Sequence, residues 1–393
     1  MRQSFHYNGD KNKKNQLESS VQFVDLKAQY QRIEESIQRA VAEVLSNQQY
    51  IMGPQVKELE EQLALYTGTK YTTCCASGTD ALLIPLMVYD LQQDDAVFVP
   101  SFTFFASAES ISLAGATPVF VDSDPDTFNM TAATLQEAYD RVIREGRLNP
   151  RGLIVVDLFG LPANYEDICT FAAEHKLFVI EDAAQSFGAE YQGKKAGSFG
   201  DIGATSFFPA KPLGAYGDGG AIFTNDERHL ELFESIRVHG QGVDKYDNVR
   251  IGLNGRLDTI QAVVLLEKLK IFDDEISSRN SIAAAYTERL QDIVKTPIVP
   301  EGSRSVWAQY SLLAKDQAER EKIIEALDKL NIPTAVYYRI PIHLCTAYQE
   351  LGYQKGSLPV CEDLSTRILS LPMHPYLSDE NIALITTEVR KAL

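Results

Sequence analysis

The 393-residue chain lacks any apolar run long enough to cross a bilayer, for which about 20 consecutive apolar residues are needed. Its start, MRQSFHYNGDKNKKNQLESS, has no apolar core of the kind a signal peptide carries, so residues 1–20 read as a polar, mobile tail. Positive charge is short. Lys and Arg total 37 against 54 Asp and Glu, a formal charge of −17, which argues against nucleic acid and anionic membrane as partners. Small anionic ligands stay open, because local groups hold them. Cysteine is sparse: Cys74, Cys75, Cys169, Cys345 and Cys361 are odd in number and show no CxxC spacing. They imply neither a disulfide framework nor a zinc site, and a reducing cytoplasm is the expected compartment. Cys74 and Cys75 read as small buried residues. No GxGxxG follows a strand, which disfavours a pyridine-dinucleotide dehydrogenase. Repeats and low-complexity segments are also missing.

What is present is alternation. Short apolar runs, YTTCCAS, AVFVP, TPVFVD, GLIVVDLFG, LFVIEDAA, IGATSFF and GAIFT, are separated in several places by amphipathic helical patterns such as AATLQEAYDRVIREG and NYEDICTFAAEHK. This predicts an α/β domain over 21–256, with a mostly parallel sheet between helices and ligands beyond the carboxyl ends of its strands. Over 257–290, Ile260, Val264, Leu265, Leu269, Phe272 and Ile276 recur at spacings of three and four, the pattern of a linking helix. A strand in SVWAQYSLLA, a helix near EREKIIEALDKLN and a strand at TAVYY predict a smaller α+β domain over 291–393.

Three fragments carry chemistry. In SFFPAKPLGAYGDGGA, residues 206–221, Lys211 stands between Pro209 and Pro212 in apolar surroundings where no helix can form. An ammonium stripped of water there becomes a nucleophilic amine, although a loop lysine with a wet head fits these residues alone equally well. In CCASGTDALL, residues 74–83, Gly78 and Thr79 open a helix whose free N–H groups suit a phosphate, and Ser-Gly-Thr is equally a common cap. Pro85 should kink or shorten that helix. In LFVIEDAAQSFGA, residues 177–189, Glu181 and Asp182 end a strand, and Asp182 is either a buried carboxylate aimed at a cation or a loop acid. Asp182 and Lys211 lie 29 residues apart (211 − 182), one strand-loop-strand unit, and so reach the same sheet edge. A cofactor that needs a lysine for its aldehyde, an acid for its pyridinium and a helix start for its phosphate is pyridoxal 5'-phosphate, PLP.

The sequence also resembles the fold-type I PLP-dependent sugar-nucleotide aminotransferases of the DegT/StrS family. The likeness runs from about Val21 to the C-terminus and is carried by FVDLKAQY, YIMGPQVKELEEQLALYTG, ASGTDAL, PSFTFFASAES, EDAAQSFGA, SFFPAKPLGAYGDGGAIFTND, HGQ, GLNGRLDTIQA and LSLPMHPYLS. The resemblance implies that Lys211 forms an imine with the cofactor, Asp182 meets the ring nitrogen and Gln185 bonds the phenolic oxygen. It implies that Ser77, Gly78, Thr79 and Ser206 hold the phosphate and that Phe104 stacks on the ring. Asn254 would reach the phosphate in the neighbouring subunit, making a homodimer with shared sites. Among subgroups, PAKPLGAYGDGGAIFTND, RVHGQ, SVWAQY and LPMHPYL are most similar to enzymes that aminate C3 of a UDP-linked 3-keto-N-acetylglucosaminuronic acid for cell-surface polysaccharides such as O-antigen, with L-glutamate as donor. Arg256, Tyr337, Tyr338 and Arg339 would then face the sugar. Tyr337-Tyr338-Arg339 departs from the His-Tyr common in the family, which leaves a dTDP- or UDP-linked 3- or 4-keto-hexose as an alternative substrate. A PLP-dependent aldolase or desulfurase and a non-catalytic PLP-binding regulator are the other readings. The desulfurase would need a cysteine on a mobile loop.

Overall fold

In the computed structural model, which describes residues 21–393 apart from residue 245, the seven apolar runs become the strands of one sheet. The expected tail over 1–20 lies outside the described residues. Strands β1 (Tyr71–Cys75), β2 (Asp95–Pro100), β3 (Thr117–Val121), β4 (Asn149–Val156) and β5 (Phe178–Asp182) come first. A short hairpin of β6 (Glu190–Tyr191) and β7 (Lys194–Lys195) follows, and β8 (Ile202–Ser206) and β9 (Gly220–Thr224) complete the sheet. Its order is β1-β9-β8-β5-β4-β2-β3. From β3 to β8 all neighbours are parallel, whereas β9 is antiparallel to both β8 and β1. Strand β1 therefore points the same way as β8, and six carboxyl ends share one edge.

The strands read as near-continuous apolar runs because both faces are covered. Successive residues point to opposite sides: Val97 and Val99 join the cluster under α3 (Gly78–Val88) and α4 (Ala106–Leu113), while Ala96 and Phe98 join the one under α5 (Ala132–Glu145) and α6 (Tyr165–His175). The β1–β9 end is packed by α1 (Leu26–Asn47), α2 (Pro54–Thr67), α7 (Glu227–Ile236) and α8 (Thr259–Leu290). Helix α3 runs through Pro85 and ends three residues later, at Val88, without the non-helical residue a kink would show.

Helix α8 runs for 32 residues and buries Val264, Leu265, Phe272 and Ile276 of the expected stripe. Beyond it, β10 (Ser303–Arg304) pairs with β6, and β11 (Tyr310–Leu313) precedes α9 (Gln317–Asp328). Helix α10 (Pro359–Arg367), β12 (Ile368–Leu371) and α11 (Asp379–Ala392) follow. The expected strand at TAVYY does not form. Its one ladder contact is the bridge of Ala335 with Ser370, and the partner of β11 is instead β12, in LSLP. Tyr337 and Tyr338 leave the ladder because their rings pack elsewhere, on Phe23 and Phe102 respectively. Among the described residues no helix is long and apolar enough to cross a membrane, and no cluster of His, Cys, Asp and Glu could hold a metal ion.

Candidate active site

Each chemistry-bearing fragment follows a carboxyl end on the shared edge: residues 76–79 after β1, 101–107 after β2, 157–159 after β4, 182–186 after β5 and 206–211 after β8. This is the ligand edge of an open α/β sheet. Cys74 and Cys75 precede the first fragment and are both buried, their thiols pushed up by desolvation, so neither is a nucleophile.

The β1 fragment forms a cradle. Ser77 caps α3 through its hydroxyl, which accepts from the Asp80 N–H at 3.0 Å, so the capping reading of this serine holds within the chain. A Cβ on Gly78 would collide with Ser206, which brings the start of α3 directly against the end of β8. Gly78 is glycine because nothing larger fits between these elements. The helix start with Thr79 and Ser206 thus forms one concave, N–H-rich corner that suits a phosphate.

Asp182 is buried and its oxygens are both occupied: Oδ2 accepts from the Ser107 hydroxyl at 2.8 Å and Oδ1 from the Ala184 N–H at 3.1 Å. Burial pushes its carboxyl up, while Ser107, Lys211 and Ala184 oppose that rise. Glu181, its neighbour, points to the other face of the strand, where it accepts from the Gly197 and Phe199 N–H groups. The pair of acids noted in the sequence therefore divides: Asp182 sits at the ligand edge, bonded by Ser107 and Ala184, and Glu181 ties down the 197–199 turn.

Lys211 lies on the loop between β8 and β9, partly buried, and among the described residues no hydrogen-bond acceptor partners its ammonium. Desolvation lowers its pKa and the field of Asp182 works against that. A lysine and an aspartate thus face one site without bonding each other, the amine without an acceptor and the carboxylate bonded only by neutral donors. That fits a group presenting an aldehyde to the amine and a pyridinium to the acid.

Gln185 is oriented by Phe159, whose N–H donates to Oε1 at 2.9 Å. This turns the Nε2 donor toward Tyr338, whose hydroxyl accepts at 3.3 Å. The next residue, Ser186, donates to Asp157 at 2.8 Å. Phe104 is 57% exposed on the loop before α4, three residues ahead of the Ser107 that holds Asp182, which leaves its ring open to a ligand. The Tyr337 ring lies tilted against that of Tyr338, 5.7 Å between centroids, and Arg339 is exposed.

The Asn254–Arg256 turn sits beside the cradle: the Gly255 carbonyl accepts from the Ala76 N–H at 3.0 Å. Asn254 is exposed, and the Nε of Arg256 is buried with no partner among the described residues. Ser107, Tyr338 as partner of Gln185, and Asp157 behind Ser186 were not singled out for these contacts by the sequence. Only Ser107 had a local signal, lying three residues after Phe104 in PSFTFFASAES.

Fold and site together define a fold-type I PLP-dependent transferase. The chain belongs to the DegT/DnrJ/EryC1/StrS aminotransferase family, which it matches over residues 31–390. It is 43% identical over 368 residues to the UDP-2-acetamido-2-deoxy-3-oxo-D-glucuronate aminotransferase of Pseudomonas aeruginosa, covering 93% of this chain and 98% of that one. It is 40% identical over 365 residues to a pleiotropic regulatory protein of Geobacillus stearothermophilus, covering 92% and 95%. A crystal structure of a DegT DnrJ EryC1 StrS aminotransferase from Brucella abortus superposes with a TM-score of 0.92 at 51% identity, covering 94% of this chain and 99% of that one. The PLP form of the sugar aminotransferase Spr1654 from Streptococcus pneumoniae gives 0.83 at 27% identity, covering 91% and 97%.

Proposed function

We propose that this protein is a PLP-dependent aminotransferase that converts the keto group of a UDP-linked 3-keto-N-acetylglucosaminuronic acid to an amine, with L-glutamate as donor. The observation that carries the reading is the unpartnered Lys211 amine facing the buried Asp182 beside the helix-start corner of Gly78, Thr79 and Ser206. When bound, PLP supplies an aldehyde that carries the amino group and an electron-poor ring that stabilises negative charge on the adjoining carbon. Ser107, Lys211 and Ala184 oppose the rise that burial imposes on the Asp182 carboxyl, and as a carboxylate it would keep the ring nitrogen protonated. Gln185 offers Nε2 to the phenolic oxygen and Phe104 offers its face. The Lys211 amine, its pKa lowered by desolvation, takes the proton from the donor's α-carbon and returns one at the carbon that receives the amino group.

On the sugar side, Arg256 has a buried Nε without a partner among the described residues, and a hexuronate carboxylate supplies one. Tyr337, Tyr338 and Arg339 line the remainder. Asn254, exposed at the turn next to the cradle, contacts the phosphate in a second subunit, so the enzyme works as a homodimer with shared sites. It acts in the cytoplasm, in the assembly of a cell-surface polysaccharide. The test is a panel of UDP- and dTDP-linked amino sugars run in reverse with 2-oxoglutarate. The UDP-linked amino-hexuronate should be converted with the highest kcat/KM. A preference for a neutral hexose overturns the hexuronate assignment, and cofactor binding without turnover on any sugar favours the regulator.

A further inference from the structure

Lys268 is a buried charge that this chemistry leaves unused. It lies on α8 with 1% of its surface exposed, yet no carboxylate forms an ion pair with it among the described residues. Its ammonium donates to the Gly214 carbonyl at 2.6 Å and sits 4.2 Å from the centre of the Tyr216 ring. Glu275, whose charge attracts it, is already committed to Gln29 and Tyr376. Burial pushes the Lys268 ammonium down to about 8. A cation buried on one carbonyl and one ring is a poor source of stability, and an apolar side chain of the same length would serve packing as well.

What Lys268 grips explains its place. Gly214 is three residues after Lys211, in a loop that doubles back: the Lys211 N–H donates to Phe208 at 2.8 Å and the Ala215 N–H to Phe207 at 2.7 Å. A Cβ on Gly214 would collide with the Pro209 carbonyl, so the two arms of the loop touch and move together. A second grip comes from Gln261, seven residues earlier on the same face of α8, whose Oε1 accepts from the Tyr216 N–H at 2.8 Å. The rim of Tyr216 is closed by an edge-on contact with Tyr30 at 6.2 Å.

We propose that Lys268 is a positioning residue for Lys211: through Gly214 and Tyr216 it fixes the loop that aims the reactive amine, acting as a clamp from the long helix. The proposal rests on Lys211 being the lysine that binds PLP. The test uses full-length apoenzyme mixed with PLP, following the visible band as the cofactor becomes covalently bound, in wild type, Lys268→Met and Lys268→Arg. With melting temperatures within a few degrees of one another, Lys268→Met should form the band at least tenfold more slowly. Its kcat should fall by a similar factor, with KM for glutamate changed less than threefold. Lys268→Arg keeps the cation and the donor and should recover to within about threefold of wild type. Wild-type rates in Lys268→Met, or equal losses in the Met and Arg variants, overturn the proposal. If Lys268→Met does not fold, Tyr216→Leu, at a partly exposed ring, should slow band formation several-fold, and a wild-type rate there overturns it. Borohydride separates the two levels: label on a lysine other than Lys211 sinks the assignment of Lys211 and the clamp with it, whereas label on Lys211 with unchanged rates sinks the clamp alone.

Discussion

Replacing Asp182 by Asn tests the electrostatic centre of the site with little change of shape. The carboxylate accepts one bond at each oxygen, from Ala184 at 3.1 Å and Ser107 at 2.8 Å. The Asn oxygen can keep the fixed Ala184 N–H donor, and the amide then faces Ser107, whose hydroxyl rotates to accept. The Ser107 O–H then gives up its acceptor, with only Thr103 Oγ1 nearby at 3.5 Å, so the folding cost should be that of one buried unsatisfied donor, about 1–3 kcal/mol. Catalysis should suffer more. If Asp182 meets the ring nitrogen as proposed, losing its charge removes an electrostatic contribution of about 2.7–4 kcal/mol, or roughly 10²–10³ in kcat. Ser107→Ala removes only one charge-assisted bond to the carboxylate, about 1.5–3 kcal/mol, and should cost less than Asp182→Asn. Turnover is measured beside PLP content and melting temperature. Asp182→Asn with bound PLP and near wild-type turnover would refute the role assigned to this carboxylate, and Ser107→Ala more damaging than Asp182→Asn would refute the ordering.

Borohydride treatment of the holoenzyme should fix PLP on the Lys211 peptide, and Lys211→Ala should retain some cofactor while losing several orders of magnitude in rate. In apoenzyme only the free amine captures PLP, and desolvation lowers the Lys211 pKa, so capture should rise with pH with a midpoint below the ordinary 10.5; a midpoint at or above that value contradicts the desolvated setting. Arg256→Ala should lower kcat/KM for a UDP-linked hexuronate by ~2–4 kcal/mol, the scale of stranding a buried charge, and far less for a neutral UDP-hexose; equal losses would make Arg256 structural. Mixing Lys211→Ala chains with Asn254→Ala chains should restore activity if sites are shared, because one hybrid site then holds both intact groups, whereas hybrid dimers that form and stay inactive assign each site to one chain.

Much of this architecture was legible because strands buried on both faces declare themselves as apolar runs, and all seven predicted runs became strands of one sheet. Lys211 and Asp182 stand out in the sequence because a lysine between two prolines and an acid ending an apolar strand are locally anomalous, and the fold brings both to one sheet edge. The strand at TAVYY was misread because its residue types suit a ladder, while the pull of Phe23 and Phe102 on the two tyrosines comes from elsewhere in the fold. Ser107 and Lys268 escaped for the same reason. A serine in a short helix and a lysine in a long one look like surface residues until tertiary packing sets one on Asp182 and buries the other on Gly214.

Strand β1 has β9 as its one sheet neighbour among the described residues, and this has a kinetic consequence. Cys75 pairs with Gly220, 145 positions later (220 − 75), so the edge that carries the cradle is joined by some of the most distant pairings in the sheet. The entropy of closing so long a loop must be met before any contact repays it, which places β1 among the last elements to dock. Completing the sheet and completing the cofactor site are then a single event. PLP should bind only the finished fold and stabilise it by mass action, and in hydrogen exchange the amides of β1 and β9 should gain protection together when it binds.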